Sequence, residues 1–166
     1  MTSERLSASG TIAAPASEIF RIVSHPAGHV ALDGSGMLVA SPGARPLTAV
    51  GETFDMAMNR EPLGDIPGMT DYDVRNTVTR LVPDRLFEWG VQSIGRPPSG
   101  NVYGWELEPV SGTETRVTNY TDWSGISDAA RAARSWPLIP AHFLETSVSN
   151  LRSLVLAGWG RRDDDA

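Results

Sequence analysis

Residues 136 to 158 carry the longest uninterrupted helical pattern in the chain, and nearly everything before them reads as strand. Leu144, Val148, Leu151 and Val155 recur at intervals of four, three and four, with Phe143, Ser147 and Leu154 at the margins of the same face. That is the period of an amphipathic helix. Pro137 and Pro140 confine its start, and Gly158 and Gly160 suit its end. A single long helix after a run of antiparallel strands needs a curved sheet to pack on, and the space between the two is where a ligand fits. The pattern suggests a container more clearly than a catalyst.

The upstream segments supply that sheet. Residues 5 to 13 alternate through Leu6, Ala8, Gly10 and Ile12 as a first strand. Pro15 and Glu18 suit a helix start, Ile19, Phe20, Ile22 and Val23 give it an apolar face, and His25-Pro26 stops it. A helical turn at 28 to 32, a Gly-rich turn at 33 to 36 and a brief strand at 37 to 40 follow. From Gly51 the pattern is a succession of strands: Phe54, Met56 and Met58 share one face, as do Tyr72, Val74, Asn76 and Val78. Phe87, Trp89 and Val91 form the next set, then Tyr103, Trp105 and Leu107, then Val117, Asn119, Thr121 and Trp123. The expected class is α+β, a curved antiparallel sheet of six to seven strands wrapped around a long C-terminal helix, with two short helices after the first strand. Residues 1 to 160 are expected to form one domain, and the acidic residues at 161 to 166 a disordered tail.

Composition removes several function classes. The chain has no Cys, so disulfides, thiolate metal sites and cysteine nucleophiles are excluded. All 14 basic residues are Arg, which excludes lysine Schiff-base chemistry. A net charge of −6 without clustered cations argues against a nucleic-acid partner. The first residues lack the basic head and apolar run of a signal peptide, and no window reaches the length of a membrane span, so a cytoplasmic protein is expected.

The order of elements and several motifs resemble the SRPBCC superfamily, the START-like helix-grip proteins, and within it the polyketide cyclase/dehydrase branch. The matching pieces are Ile-Ala-Ala-Pro-Ala-Ser-Glu-Ile-Phe at 12 to 20, His-Pro-Ala-Gly-His at 25 to 29 and Asp-Gly-Ser-Gly at 33 to 36. Gly-Glu-Thr-Phe at 51 to 54, Val-Pro-Asp-Arg-Leu-Phe-Glu-Trp at 82 to 89 and Gly-Thr-Glu-Thr-Arg-Val-Thr at 112 to 118 complete the set. The resemblance implies an apolar cavity between sheet and helix. It carries over no catalytic residue, because this scaffold hosts carriers, receptors and cyclases alike.

If the strand phases hold, Phe54, Met56, Met58, Tyr72, Asn76, Phe87, Trp89, Tyr103, Trp105, Asn119 and Trp123 face inward, with Phe143 and Ser147 opposite them on the helix. Large apolar walls with a few amides and phenols suit a small-molecule pocket; the plain alternative is that these side chains fill a core. A bulge near Gly90 or Gly104 would invert the phase. Asn76 and Asn119 are the most informative, since an inward amide at mid-strand must find a partner. His142, three residues before Glu145 at the start of the long helix, is the one candidate acid or base, against a simple surface pair; the catalytic residues are otherwise unassigned. Arg75 and Arg80 could anchor an acidic ligand group, though alternation puts at least one on the outer face. His25, His29 and Asp33 are expected to cap the short helices and close a loop over the cavity rather than hold a metal, because Pro26 and Gly28 interrupt the helix between them. No metal and no cofactor are expected.

The expected function is binding or carriage of a small hydrophobic ligand: a lipid, an isoprenoid or an aromatic polyketide. The alternative is a polyketide aromatase/cyclase, and a third reading makes Trp136 or Trp159 a contact for a protein partner. A monomer or homodimer satisfies all three.

Overall fold

The computed structural model describes residues 3–160, and the acidic tail expected at 161–166 lies outside them. The described elements run β1 (Arg5–Ile12), α1 (Ala16–Val23), α2 (Pro26–Leu32), β2 (Leu38–Ala40), β3 (Thr53–Asn59), β4 (Asp71–Val82), β5 (Leu86–Ser93), β6 (Val102–Ser111), β7 (Glu114–Asp122), α3 (Asp128–Ala133) and α4 (Ala141–Leu156). The strands form one antiparallel sheet in the order β1-β7-β6-β5-β4-β3-β2. β2 to β7 are neighbours in sequence, and β1 closes beside β7, so the curved sheet wraps α4 as the helical period requires.

The apolar stripe of α4 is buried as read: Leu144, Val148, Leu151 and Val155, with Ser147 between them. β1 accepts the helix closely at Gly10, where a Cβ would lie 2.9 Å from Arg152 Nη2 and 3.0 Å from Val148 Cγ1. The Arg152 guanidinium donates to the Thr11 carbonyl on the same edge. On the other flank, Asn150 Nδ2 donates to the Leu32 carbonyl at 3.1 Å and Gly34 N–H to Ser147 Oγ at 2.9 Å. These bonds pin the end of α2 to α4 and so fix one rim of the space between them.

Pro26 does more than stop α1. It also opens α2, where a first-turn proline loses no hydrogen bond, and His25 Nδ1 caps the new helix by accepting from Ala27 N–H at 3.1 Å. α2 therefore forms a real helix that presents His29 and Leu32 inward. Asp33 then shapes the following loop, its carboxylate accepting from Ser35 N–H, Ser35 Oγ–H and Leu38 N–H.

The pairing of β4 with β5 shifts between Val78 and Arg80, at Thr79, and further shifts fall in β2 between Leu38 and Ala40 and in β6 between Pro109 and Ser111; none falls at Gly90 or Gly104. The inward phase of residues 72 to 78 is left intact: Val74, Asn76 and Val78 are buried, and the residues between them are exposed. Outside the sheet, Tyr120 Oη donates to Glu88 Oε2 at 2.5 Å and Thr79 Oγ1 to Glu88 Oε1 at 2.9 Å. Arg75 and Arg80 also stand on this outer face, exposed, beside Asp55 and Glu88 respectively. They are remote from the concave side.

Candidate functional site

Between the concave sheet face, α2 and the start of α4 lies a cavity of about 180 Å3. Of the side chains expected there, Met56, Met58, Tyr72, Asn76, Trp89, Tyr103, Trp105, Asn119, Phe143 and Ser147 line it. Phe54, Phe87 and Trp123 are buried outside its wall. Phe54 and Phe87 have the right strand phase, but α2 covers them: both rings pack edge-on against His29, at 5.5 and 5.6 Å between centroids. Trp123 stands one residue past the end of β7, where the chain leaves the sheet. His142 is exposed and does not line the cavity; its ring packs edge-on to Phe143. Trp136 and Trp159 are half-buried, the first donating its indole N–H to the Ala130 carbonyl and the second packed on His25.

His29 joins the wall instead of closing a mouth loop. It is buried among Phe54, Phe87 and Trp89, with the Trp89 ring 4.5 Å away. Its Nε2 lies 2.6 Å from the Val23 carbonyl, and a carbonyl only accepts, so the neutral ring carries its proton there and leaves Nδ1 as an acceptor. Burial lowers the His29 pKa to about 4, against a smaller upward pull from that carbonyl. Burial likewise pushes the Tyr103 phenol up to about 12. Both rings are neutral at pH 7.

The two inward amides differ. Asn119 Nδ2 donates to the Gly104 carbonyl at 3.0 Å, so the sheet itself satisfies it. Asn76 is 4% exposed, and its Oδ1 is the one buried side-chain nitrogen or oxygen among the described residues that has no hydrogen-bond partner. Leaving such an atom unpaired costs about 1–3 kcal/mol.

One end of the cavity is polar. Arg60, which follows Met58 by one further strand period, is 5% exposed and lines it. Asp65 grips the Arg60 guanidinium through Nε–H to Oδ1 at 2.8 Å and Nη2–H to Oδ2 at 2.6 Å, and that pairing holds the Asp65 carboxyl below the usual carboxylate range. Arg134, just beyond α3, lines the same cavity. Neither α3 nor these two arginines was expected at the site. The signal for Arg60 was present, because the set 54, 56, 58 extends to 60 with period two. α3 buries none of its residues, so no apolar period announces it. Among the described residues no cluster of His, Asp or Glu could hold a metal ion, and no helix is long and apolar enough to cross a membrane.

No family model matches the chain. An uncharacterized protein of Mycobacterium tuberculosis, Rv0088, is 37% identical over 119 residues, which cover 72% of this chain and 47% of that protein. The chain thus spans about half the length of the curated relatives it matches. Among solved structures, protein CV1439 from Chromobacterium violaceum superposes with a TM-score of 0.61 at 18% identity, covering 92% of this chain and 96% of that one. Norcoclaurine synthase of Thalictrum flavum, as a point mutant in complex with a transition state analogue, gives 0.61 at 15% identity over 95% and 96%. At such identities the likeness concerns the fold alone. The chain has a helix-grip fold, with a cavity between its curled sheet and its helices.

Proposed function

We propose that this protein binds a compact, mainly apolar molecule bearing at least one hydrogen-bond donor. The observation that carries the reading is Asn76 Oδ1, an unpaired acceptor in a wall otherwise built of Met56, Trp89, Trp105 and their neighbours. An apolar residue at that position would remove the cost of the unpaired atom, whereas a ligand N–H or O–H would offset it. Size narrows the class. An engineered cavity of about 150 Å3 accepts benzene, so about 180 Å3 suits a one- or two-ring body better than a long acyl chain.

Binding is favoured over proton-transfer chemistry. A general acid or base works best with a pKa near the ambient pH, and two of the ionisable rings in the wall are displaced from it in opposite directions, His29 to about 4 and Tyr103 to about 12. The aromatase/cyclase reading rests on likeness of fold.

The test uses 2-naphthol, which has an O–H donor, and naphthalene, which has none, titrated into the protein by tryptophan fluorescence. Asn76→Leu is expected to weaken 2-naphthol binding about tenfold while naphthalene binds at least as well as before, and to raise the unliganded stability by about 1 kcal/mol. Equal 2-naphthol affinity in wild type and variant would refute Asn76 as the polar contact.

A further inference from the structure

We infer that the molecule held in this cavity carries a carboxylate, and that Arg134 receives it at the polar end while the ring system lies against Met56 and Trp89; the inference rests on the cavity being a ligand site. The register places Arg60 and Tyr72 together. Arg60 follows the last residue of β3, and Tyr72 stands opposite Met58 in β4 with its Oη 3.4 Å from the Arg60 guanidinium. Both line the cavity. From the segment before α4, Arg134, Leu138 and Ile139 also line the cavity, and Arg134 is near enough to Asp65 to help hold its carboxyl down. Deeper in, Met56, Val74, Trp89 and Trp105 give the wall an apolar character, so the cavity is graded along its length.

The charges at the polar end do not cancel. Asp65 takes the fork of Arg60 in a bidentate pair, and Tyr72 Oη lies 3.4 Å from its remaining terminal nitrogen. That leaves Arg134. Among the described residues it has no hydrogen bond or ion pair, and Asp65, the carboxylate it influences, is already matched to Arg60. Asp33, the carboxylate that does line the cavity, is held by its own loop through Ser35 and Leu38. A half-buried arginine that lines the cavity and has no ion-pair partner is a site for an anion, and a planar carboxylate matches its forked donors. The chain's overall charge of −6 makes this local excess of cation more specific, since general attraction of anions is not available to explain it.

The experiment compares 6-hydroxy-2-naphthoate with 2-naphthol, which share the ring system and the O–H donor and differ in the carboxylate, on wild type and on Arg134→Gln. Wild type is expected to bind 6-hydroxy-2-naphthoate at least tenfold more tightly than 2-naphthol, and that margin is expected to shrink as salt rises. Arg134→Gln is expected to lose the margin while holding its 2-naphthol affinity and its melting temperature. Wild type binding 2-naphthol as tightly as 6-hydroxy-2-naphthoate, or Arg134→Gln keeping the margin, would overturn the inference and leave the binding site standing. If neither compound binds, the reading of the cavity as a ligand site falls, and this inference with it.

Discussion

Lowering the pH from 7 to 4 is expected to remove about 3 kcal/mol of folding stability through His29 alone. The unfolded imidazole takes up its proton near 6.5, whereas the buried ring resists protonation until about 4. A folded pKa depressed in a base means that the unfolded chain binds the extra proton across that interval. Stability is therefore full above pH 6.5, declines as pH falls, and reaches its floor near pH 4. The difference of about 2.5 units, at about 1.4 kcal/mol each, sets the size. His29→Gln tests it: the amide keeps an N–H for the Val23 carbonyl but does not titrate. Urea unfolding at intervals from pH 4 to 7.5 should show the variant's dependence reduced by nearly one proton. An unchanged dependence would mean that water reaches the ring and that the aromatic enclosure of His29 is not maintained in solution.

Gly28→Ala is expected to destabilise the protein by about 3 kcal/mol, lowering its melting temperature by about 10 °C. Gly28 lies where α2 crosses back over the end of α1. A Cβ there would overlap the Ile22 carbonyl oxygen and stand 3.0 Å from the carbonyl carbon. Backbone cannot rotate away as a side chain tip can, so α2 must move as a unit, and with it His29 and Leu32, which line the cavity. The variant should therefore also lose affinity for 2-naphthol. Gly112→Ala is the control, since nothing lies within 4 Å of its added Cβ. A Gly28→Ala variant melting within about 2 °C of wild type would show that the helices separate easily, and the cavity rim would then be softer than the hydrogen bonds to α4 imply.

Much of the architecture was legible because it is written in periods. The spacing of Leu144, Val148, Leu151 and Val155 required a one-sided helix, and alternation through 72 to 78 placed Asn76 inward; both hold in the structure. The division of the concave face was not legible. Phe54 and Met56 share a strand face, yet α2 roofs the first and leaves the second on the cavity wall. Strand phase tells which way a side chain points and says nothing of where its cover ends. The place of His29 is hidden in the sequence because Pro26, which stops α1, equally starts α2 at its first turn. Arg134 was out of reach for a different reason: the polar segment bearing it has no apolar period, and only the fold brings it to the rim.

The most direct test of the ligand-site reading is the amide NMR spectrum of the labelled protein during a titration with 2-naphthol. The expected result is a saturable movement of the Asn76 side-chain NH2 signals together with the indole N–H signals of Trp89 and Trp105, which line the cavity, while those of Trp136 and Trp159 stay in place. Movement confined to Trp136 and Trp159, or no saturable movement at all, would contradict the assignment of this cavity as a binding site.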